Sequence, residues 1–125
     1  MGDIQVRWSG ADAPEATEHL LSEDERARLA AFRRPEDRAM FRSAHVLVRV
    51  LVAELAGVGA SAVTVVQHCD RCGRAHGPPS VLIDGRTGPQ VSLSHAGGMV
   101  LAAAAAAPVG VDLEPLGHVR AGVER

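Results

Sequence analysis

Asp112 and Glu114, one residue apart in Pro108-Val109-Gly110-Val111-Asp112-Leu113-Glu114, are the side chains of this protein best suited to grip a hard cation. If residues 109–113 form a strand, side-chain direction alternates and both carboxylates leave the same face. Mg²⁺ commonly uses a few carboxylate oxygens of this kind and completes its shell with water and substrate phosphates. The same spacing also occurs in surface ion-pair arrays. Upstream, Ser92-Leu93-Ser94-His95 adds two hydroxyls and an imidazole at the end of a second candidate strand.

A second set of charges lies at helical spacing. Arg38, Arg42, His45 and Arg49 are four, three and four residues apart and fall in one stripe roughly 60° wide on a helix. Four such groups in a row repel one another unless an anion or carboxylates face them. Two partners are open: acidic side chains of the protein itself, or a phosphate-bearing ligand. A third cluster, His68-Cys69-Asp70-Arg71-Cys72-Gly73-Arg74-Ala75-His76, offers the Zn²⁺ ligand types His68, Cys69, Cys72 and His76. Four ligands so close together make a cramped tetrahedron, and no second knuckle accompanies them. Two reduced thiols are the competing reading.

The elements that must position these groups are legible from pattern. Residues 4–8 alternate apolar and polar as a strand, and a polar loop follows through Glu15. Ser22-Glu23-Asp24-Glu25 is a capping box that starts a short helix running to about Phe32. Pro35 suits the first turn of a longer helix, Glu36 and Asp37 favour its positive end, and Gly57 is a terminator. At about 100° per residue, Phe41, Ala44, Val48, Leu51 and Leu55 form its core-facing stripe, flanked by Met40 and Leu47. Strands are expected at 63–66, 81–83, 90–94 and 109–113. The alanine run at 102–107 favours helix by intrinsic propensity. It is too short to stand alone as one and is bracketed by Val100-Leu101 and Pro108, so strand is expected, with Gly97-Gly98 as the hairpin turn.

Length and composition fit one α+β domain over residues 1–125. A chain of 125 residues buries roughly two-thirds of its unfolded surface, enough for one core. With only Trp8, Phe32 and Phe41 as aromatics, that core must be built from Val, Leu and Ala. The formal charge of −2, with no lysine at all, argues against bulk attraction to nucleic acid. No apolar run approaches the roughly 20 residues of a membrane span and the N-terminus does not read as a signal peptide, so a cytoplasmic location is expected.

Taken together, Ser92-Leu93-Ser94-His95, the intervening strand and Pro-Val-Gly-Val-Asp-Leu-Glu resemble the surfactin-synthetase type of 4′-phosphopantetheinyl transferase. Leu21-Ser22-Glu23-Asp24-Glu25-Arg26, Phe32, the Arg-rich helix and the Cys-x-x-Cys-Gly loop leading to His76-Gly77-Pro78-Pro79 extend the likeness to roughly residues 20–118. The resemblance implies one half of a two-part α+β fold, a small antiparallel sheet packed on a long helix. It implies transfer of the phosphopantetheine arm of coenzyme A to a serine of an acyl or peptidyl carrier protein. Asp112 and Glu114 match the family's Mg²⁺ ligands, and His95 matches a phosphate contact with Ser94 beside it. Arg38, Arg42, His45, Arg49, Gly77 and Pro79 would complete the coenzyme A site.

Departures accompany the match. Pro78 stands where many members place Lys or Arg, and Met40 where Arg is common. The second half of the family's fold carries a further metal-binding Glu and a Trp-x-x-Lys-Glu helix with the proposed base, and nothing after Glu114 resembles either. Three expectations follow: an incomplete transferase with little activity alone, a half that rebuilds the cleft as a homodimer, or a non-catalytic module that binds coenzyme A or carrier protein, with the Cys/His loop as a zinc-stabilised variant. A half without its mate should expose an apolar patch beside the Asp112/Glu114 strand.

Overall fold

The computed structural model describes residues 4–67 and 79–107. Its elements are β1 (Gln5–Gly10), a 3-10 helix (Glu15–Leu20), α1 (Glu23–Ala31), α2 (Pro35–Ala56), a 3-10 turn (Ala60–Ala62), β2 (Val63–Gln67), β3 (Pro79–Ile83), β4 (Arg86–Thr87), β5 (Gln90–Ala96) and β6 (Met99–Ala105). This is an α+β arrangement with two three-stranded antiparallel sheets, ordered β1-β6-β5 and β2-β3-β4, where a single small sheet was expected.

Local chemistry sets the helix ends. Ser22 Oγ accepts from the Glu25 amide at 3.1 Å while Glu25 Oε1 accepts from the Ser22 amide at 2.7 Å, so the capping box at the start of α1 is complete. Pro35 occupies the first turn of α2, where its missing N–H costs nothing. Gly57 ends α2 in the left-handed region at φ 71°, a conformation that penalises any Cβ. Gly57→Ala should therefore lower the thermal or urea unfolding stability by about 1 kcal/mol.

Ala102 to Ala105 of the alanine run are strand, as the flanking residues indicate, while Ala106 and Ala107 lie beyond it. Gly97 and Gly98 both have positive φ, 58° and 80°, and close the β5–β6 hairpin as the right-handed twist of the strands demands. Asp84-Gly85, with φ of 50° and 82°, makes the equivalent turn between β3 and β4. Small residues in β6 let α2 approach the sheet closely. Ala102 and Ala104, both fully buried, meet Val48, Leu51, Val52, Val63, Val65, Val81 and Val91 in one core that joins α2 to both sheets.

Three details of the sequence reading change. Leu55 is not a core residue but is 47% exposed, lining an open cavity beside β6, while Val52 and Ala53 are buried. The second is in β1: pairing puts Gln5, Arg7 and Ser9 in register with Ala104, Ala102 and Val100, on the α2 side, and Arg7 reaches Glu54 of α2 at 3.5 Å. The apolar row Val6 and Trp8 therefore faces away from α2, and Trp8 is 65% exposed. Thirdly, where the expected loop ends at Glu15, a 3-10 helix that sequence pattern did not indicate follows and packs on α2. The candidate strand at 109–113 lies outside the described residues.

α2 is buried on two sides. Opposite the sheets, Leu21, Leu29, Phe41 and Val46 form a separate apolar cluster with Ala13, Leu20 and Phe32 against it. That second contact explains why His45 and Arg49 are buried.

Candidate functional site

The cationic stripe of α2 meets carboxylates from its own chain. Glu25, brought in by the capping box of α1, accepts from His45 Nδ1 at 2.5 Å through Oε2, and from Arg49 through both oxygens, at 3.1 and 2.5 Å. His45 and Arg49 are 3% and 1% exposed. Phe41 stacks on the His45 ring at 4.1 Å between centroids, and the Arg28 guanidinium lies 5.0 Å from the Phe41 centroid. The Arg49 Nε has no hydrogen-bond partner among the described residues.

Opposing forces set the ionisation of this group. Burial pushes the Glu25 carboxyl upward, but hydrogen bonds from His45, Arg49 and the Ser22 amide, with the Arg49 charge, bring it down to about 2. Burial is also the largest influence on His45 and lowers it, as do the nearby Arg49 and Arg28 charges; the attraction of Glu25 does not compensate. The imidazole is therefore neutral, and Nδ1–H donates to the ionised carboxylate.

Arg42 and Arg38 are also engaged. Arg42 Nε donates to the Ala13 carbonyl at 2.8 Å and its Nη1 to Glu18 at 3.0 Å. Arg38 Nη1 donates to the Phe32 carbonyl at 2.9 Å. Of the two partners open for the stripe, carboxylates of the protein face three of its four members. As folded, His45 and Arg49 are buried against Glu25, so a direct contact with coenzyme A would require this group to open.

His95 reaches the same end of the molecule as Arg42 by a different route. It pairs with Val100 in the hairpin and is exposed. Its strand position shares the α2 side of the sheet with Val91 and Leu93, which contact the core. The hairpin tip is tied to the segment after β1, where the Ala11 amide donates to the Gly98 carbonyl at 2.9 Å. Two residues on, the Ala13 amide donates to Ser43 Oγ of α2 at 3.0 Å, beside Arg42. Ser94, in register with Leu101, is on the opposite face of the sheet from His95. A single ligand touched by both must therefore reach around β5.

Of the remaining candidates, Pro79 begins β3 and is partly buried. Gly77, Asp112 and Glu114 lie outside the described residues, as do His68, Cys69, Cys72 and His76. Among the described residues, no three His, Cys, Asp or Glu side chains converge as metal ligands. No described helix is long and apolar enough to cross a membrane.

At the far end of the sheet, a largely apolar cavity of 610 Å³ opens between α2 and β6, lined in part by Gln5, Val52, Leu55, Pro89 and Ala105. Sequence reading missed both this cavity and the buried triad. Glu25 was legible only as a helix start; its second role depends on which face of α1 turns toward α2. No protein-family model matches the chain, and no curated protein matches it significantly.

Proposed function

We propose that this chain is of the phosphopantetheinyl transferase type, acting on coenzyme A and an acyl or peptidyl carrier protein. The observation that carries the reading is the spacing of Ser94-His95 from Asp112-Leu113-Glu114 across a single small-residue strand. The α+β architecture, with that strand central in its sheet and packed on a 22-residue helix, is compatible with it.

In the proposed reaction, the carrier serine oxygen attacks the phosphorus that bears the pantetheine arm. A new P–O bond forms as the bond to 3′,5′-adenosine bisphosphate breaks, and the serine proton passes to a base. Bound Mg²⁺ would supply charge neutralisation on the diphosphate. Asp112 and Glu114 are its proposed ligands. His95 would bind phosphate, while Arg38 and Arg42 would set the charge at that end of the site. His45 and Arg49 act here as positioning residues, since their side chains hold α1 through Glu25. The base that takes the serine proton is not assigned to any of these residues; such a group typically contributes about 10²–10⁴-fold in rate.

The test is transfer of labelled phosphopantetheine to an apo carrier protein with Mg²⁺, comparing wild type with Asp112→Ala. Transfer should be Mg²⁺-dependent, and the substitution should reduce it by at least about 100-fold, the scale of a lost metal contact. Equal product from both proteins removes the metal role.

A second reading, a non-catalytic module that binds coenzyme A or carrier protein, is favoured by the open apolar cavity beside Leu55 and Ala105. Saturable coenzyme A binding with no transfer at any enzyme concentration fits it and an inactive transferase alike, and excludes a homodimer that rebuilds the catalytic cleft. Substoichiometric zinc in protein purified under reducing conditions removes the module's zinc-stabilised form.

A further inference from the structure

The two apolar clusters divide the molecule unevenly. The larger joins α2 to both sheets and contains no residue from 11–32. The smaller consists of that segment's Leu21 and Leu29, backed by Ala13, Leu20 and Phe32, against only Phe41 and Val46 of α2. Polar attachment follows the same division. Ala13, Glu18, Glu25 and Phe32 are the segment's anchor points, and they bind Ser43, Arg42, His45 with Arg49, and Arg38 respectively. Among the described residues, the segment's hydrogen bonds to the rest of the fold include the Ala11 amide on Gly98, and Arg28 on Gln67 of β2 at 2.6 Å.

We propose that residues 11–32 form a strap that opens from α2 as one cooperative unit while the sheets and the C-terminal half of α2 stay folded, with the Glu25 carboxylate as its clasp. Local units of this kind open at lower free energy than global unfolding when few apolar contacts hold them. The strap has one small cluster. Its clasp is mechanically central because the same carboxylate closes the α1 capping box and neutralises α2, so its loss releases both ends of the contact. Opening also bares Arg38, Arg42, His45 and Arg49 together and takes Glu18 and Glu25 away from three of them, leaving a cationic row.

The charges around the clasp make opening acid-sensitive. Facing Glu25 are His45 and Arg49 from α2; Arg28 and Asp24 lie beside it on α1, and the adjoining β2 residues Thr64, Val65, Val66 and Gln67 carry no charge. Protonation of Glu25 leaves Arg49 without its counter-ion in the closed strap, whereas water solvates it in the open one.

Native-state hydrogen exchange with increasing urea tests the idea on the whole chain. Amides of α1 should share one opening curve of shallow urea dependence, lying below that of β5, β6 and residues 47–56. Glu25→Gln should speed strap exchange by at least about 100-fold, the factor expected for breaking a buried pair, and sheet amides by no more than the strap, with the strap curve still the shallower and lower of the two. If α1 and sheet amides merge on a single steep curve in wild type, the proposal fails, whether or not the variant folds. Strap amides left within about threefold by Glu25→Gln also overturn it. Leu29→Ala supplies an independent variant, since it weakens the strap's apolar cluster without touching the clasp and should accelerate the same amides.

Discussion

Replacing Glu25 by Ala should lower the stability of the chain by about 3–5 kcal/mol, the scale on which removing one member of a buried ion pair leaves the other charge uncompensated. If opening the strap costs less than that, the loss is capped at the opening cost, since an open strap lets water reach Arg49. Against a total stability of about 5–15 kcal/mol for a domain of this size, either loss is large. Urea unfolding followed by far-ultraviolet circular dichroism measures it, with an expected fall in midpoint of more than 1 M for a slope of about 1–3 kcal/mol/M when the full cost is felt. A change within 0.5 kcal/mol would mean that Arg49 and His45 find other partners at no cost. The reciprocal experiment replaces the whole group at once: Glu25→Leu with His45→Phe and Arg49→Met should be near neutral or stabilising, because desolvation of three polar groups is removed along with their attraction. Together the variants separate the worth of the network from the penalty of breaking it.

Acidification should destabilise the protein in two stages of the same sign. His45 is held below its ordinary value, so as pH falls past about 6.5 the unfolded chain takes up a proton that the folded one does not, and stability declines. Glu25 is lowered from 4.5 to about 2, so its stabilisation is complete above 4.5 and disappears as pH falls toward 2. That carboxylate accounts for about 3 kcal/mol at neutral pH, taken from the size of its shift, and its side chain is only 5% exposed, so solvent screening is slight. Urea midpoints measured between pH 7 and pH 3 should fall steadily. In Glu25→Gln the lower stage, from pH 4.5 downward, should be largely absent. A wild-type midpoint that is flat or rising on acidification would contradict the geometry of the triad.

Both effects arise from a group that sequence spacing revealed only in part. The stripe Arg38, Arg42, His45 and Arg49 was visible because helical periodicity fixes which residues share an edge, whatever the helix packs on. Its counter-ions were not, because Glu18 and Glu25 sit on elements whose approach to α2 depends on long-range packing of Leu21 and Leu29 on Phe41. Ser94 and His95 make the same point on a smaller scale. Adjacent in sequence, they belong to opposite sheet faces as soon as β5 is extended, and only pairing to β6 shows which face is which.

What the sequence by itself determined were features with a local physical cause. The capping box at Ser22 and Glu25, Pro35 and Gly57 at the ends of α2, and the Gly97-Gly98 turn each depend on a few consecutive residues. Bracketing by Val100-Leu101 and Pro108 was enough to read the alanine run as strand against its intrinsic propensity. Tertiary structure decided orientation. Alternation in β1 gave two possible faces, and pairing with β6 turned Gln5 and Arg7 toward α2 and Trp8 outward. Periodicity in α2 gave one apolar stripe, and the arrival of α1 buried a second, polar side that hydrophobicity alone would leave in water. Orientation of this kind is set by contacts between residues far apart in the chain, whose energies no local pattern contains.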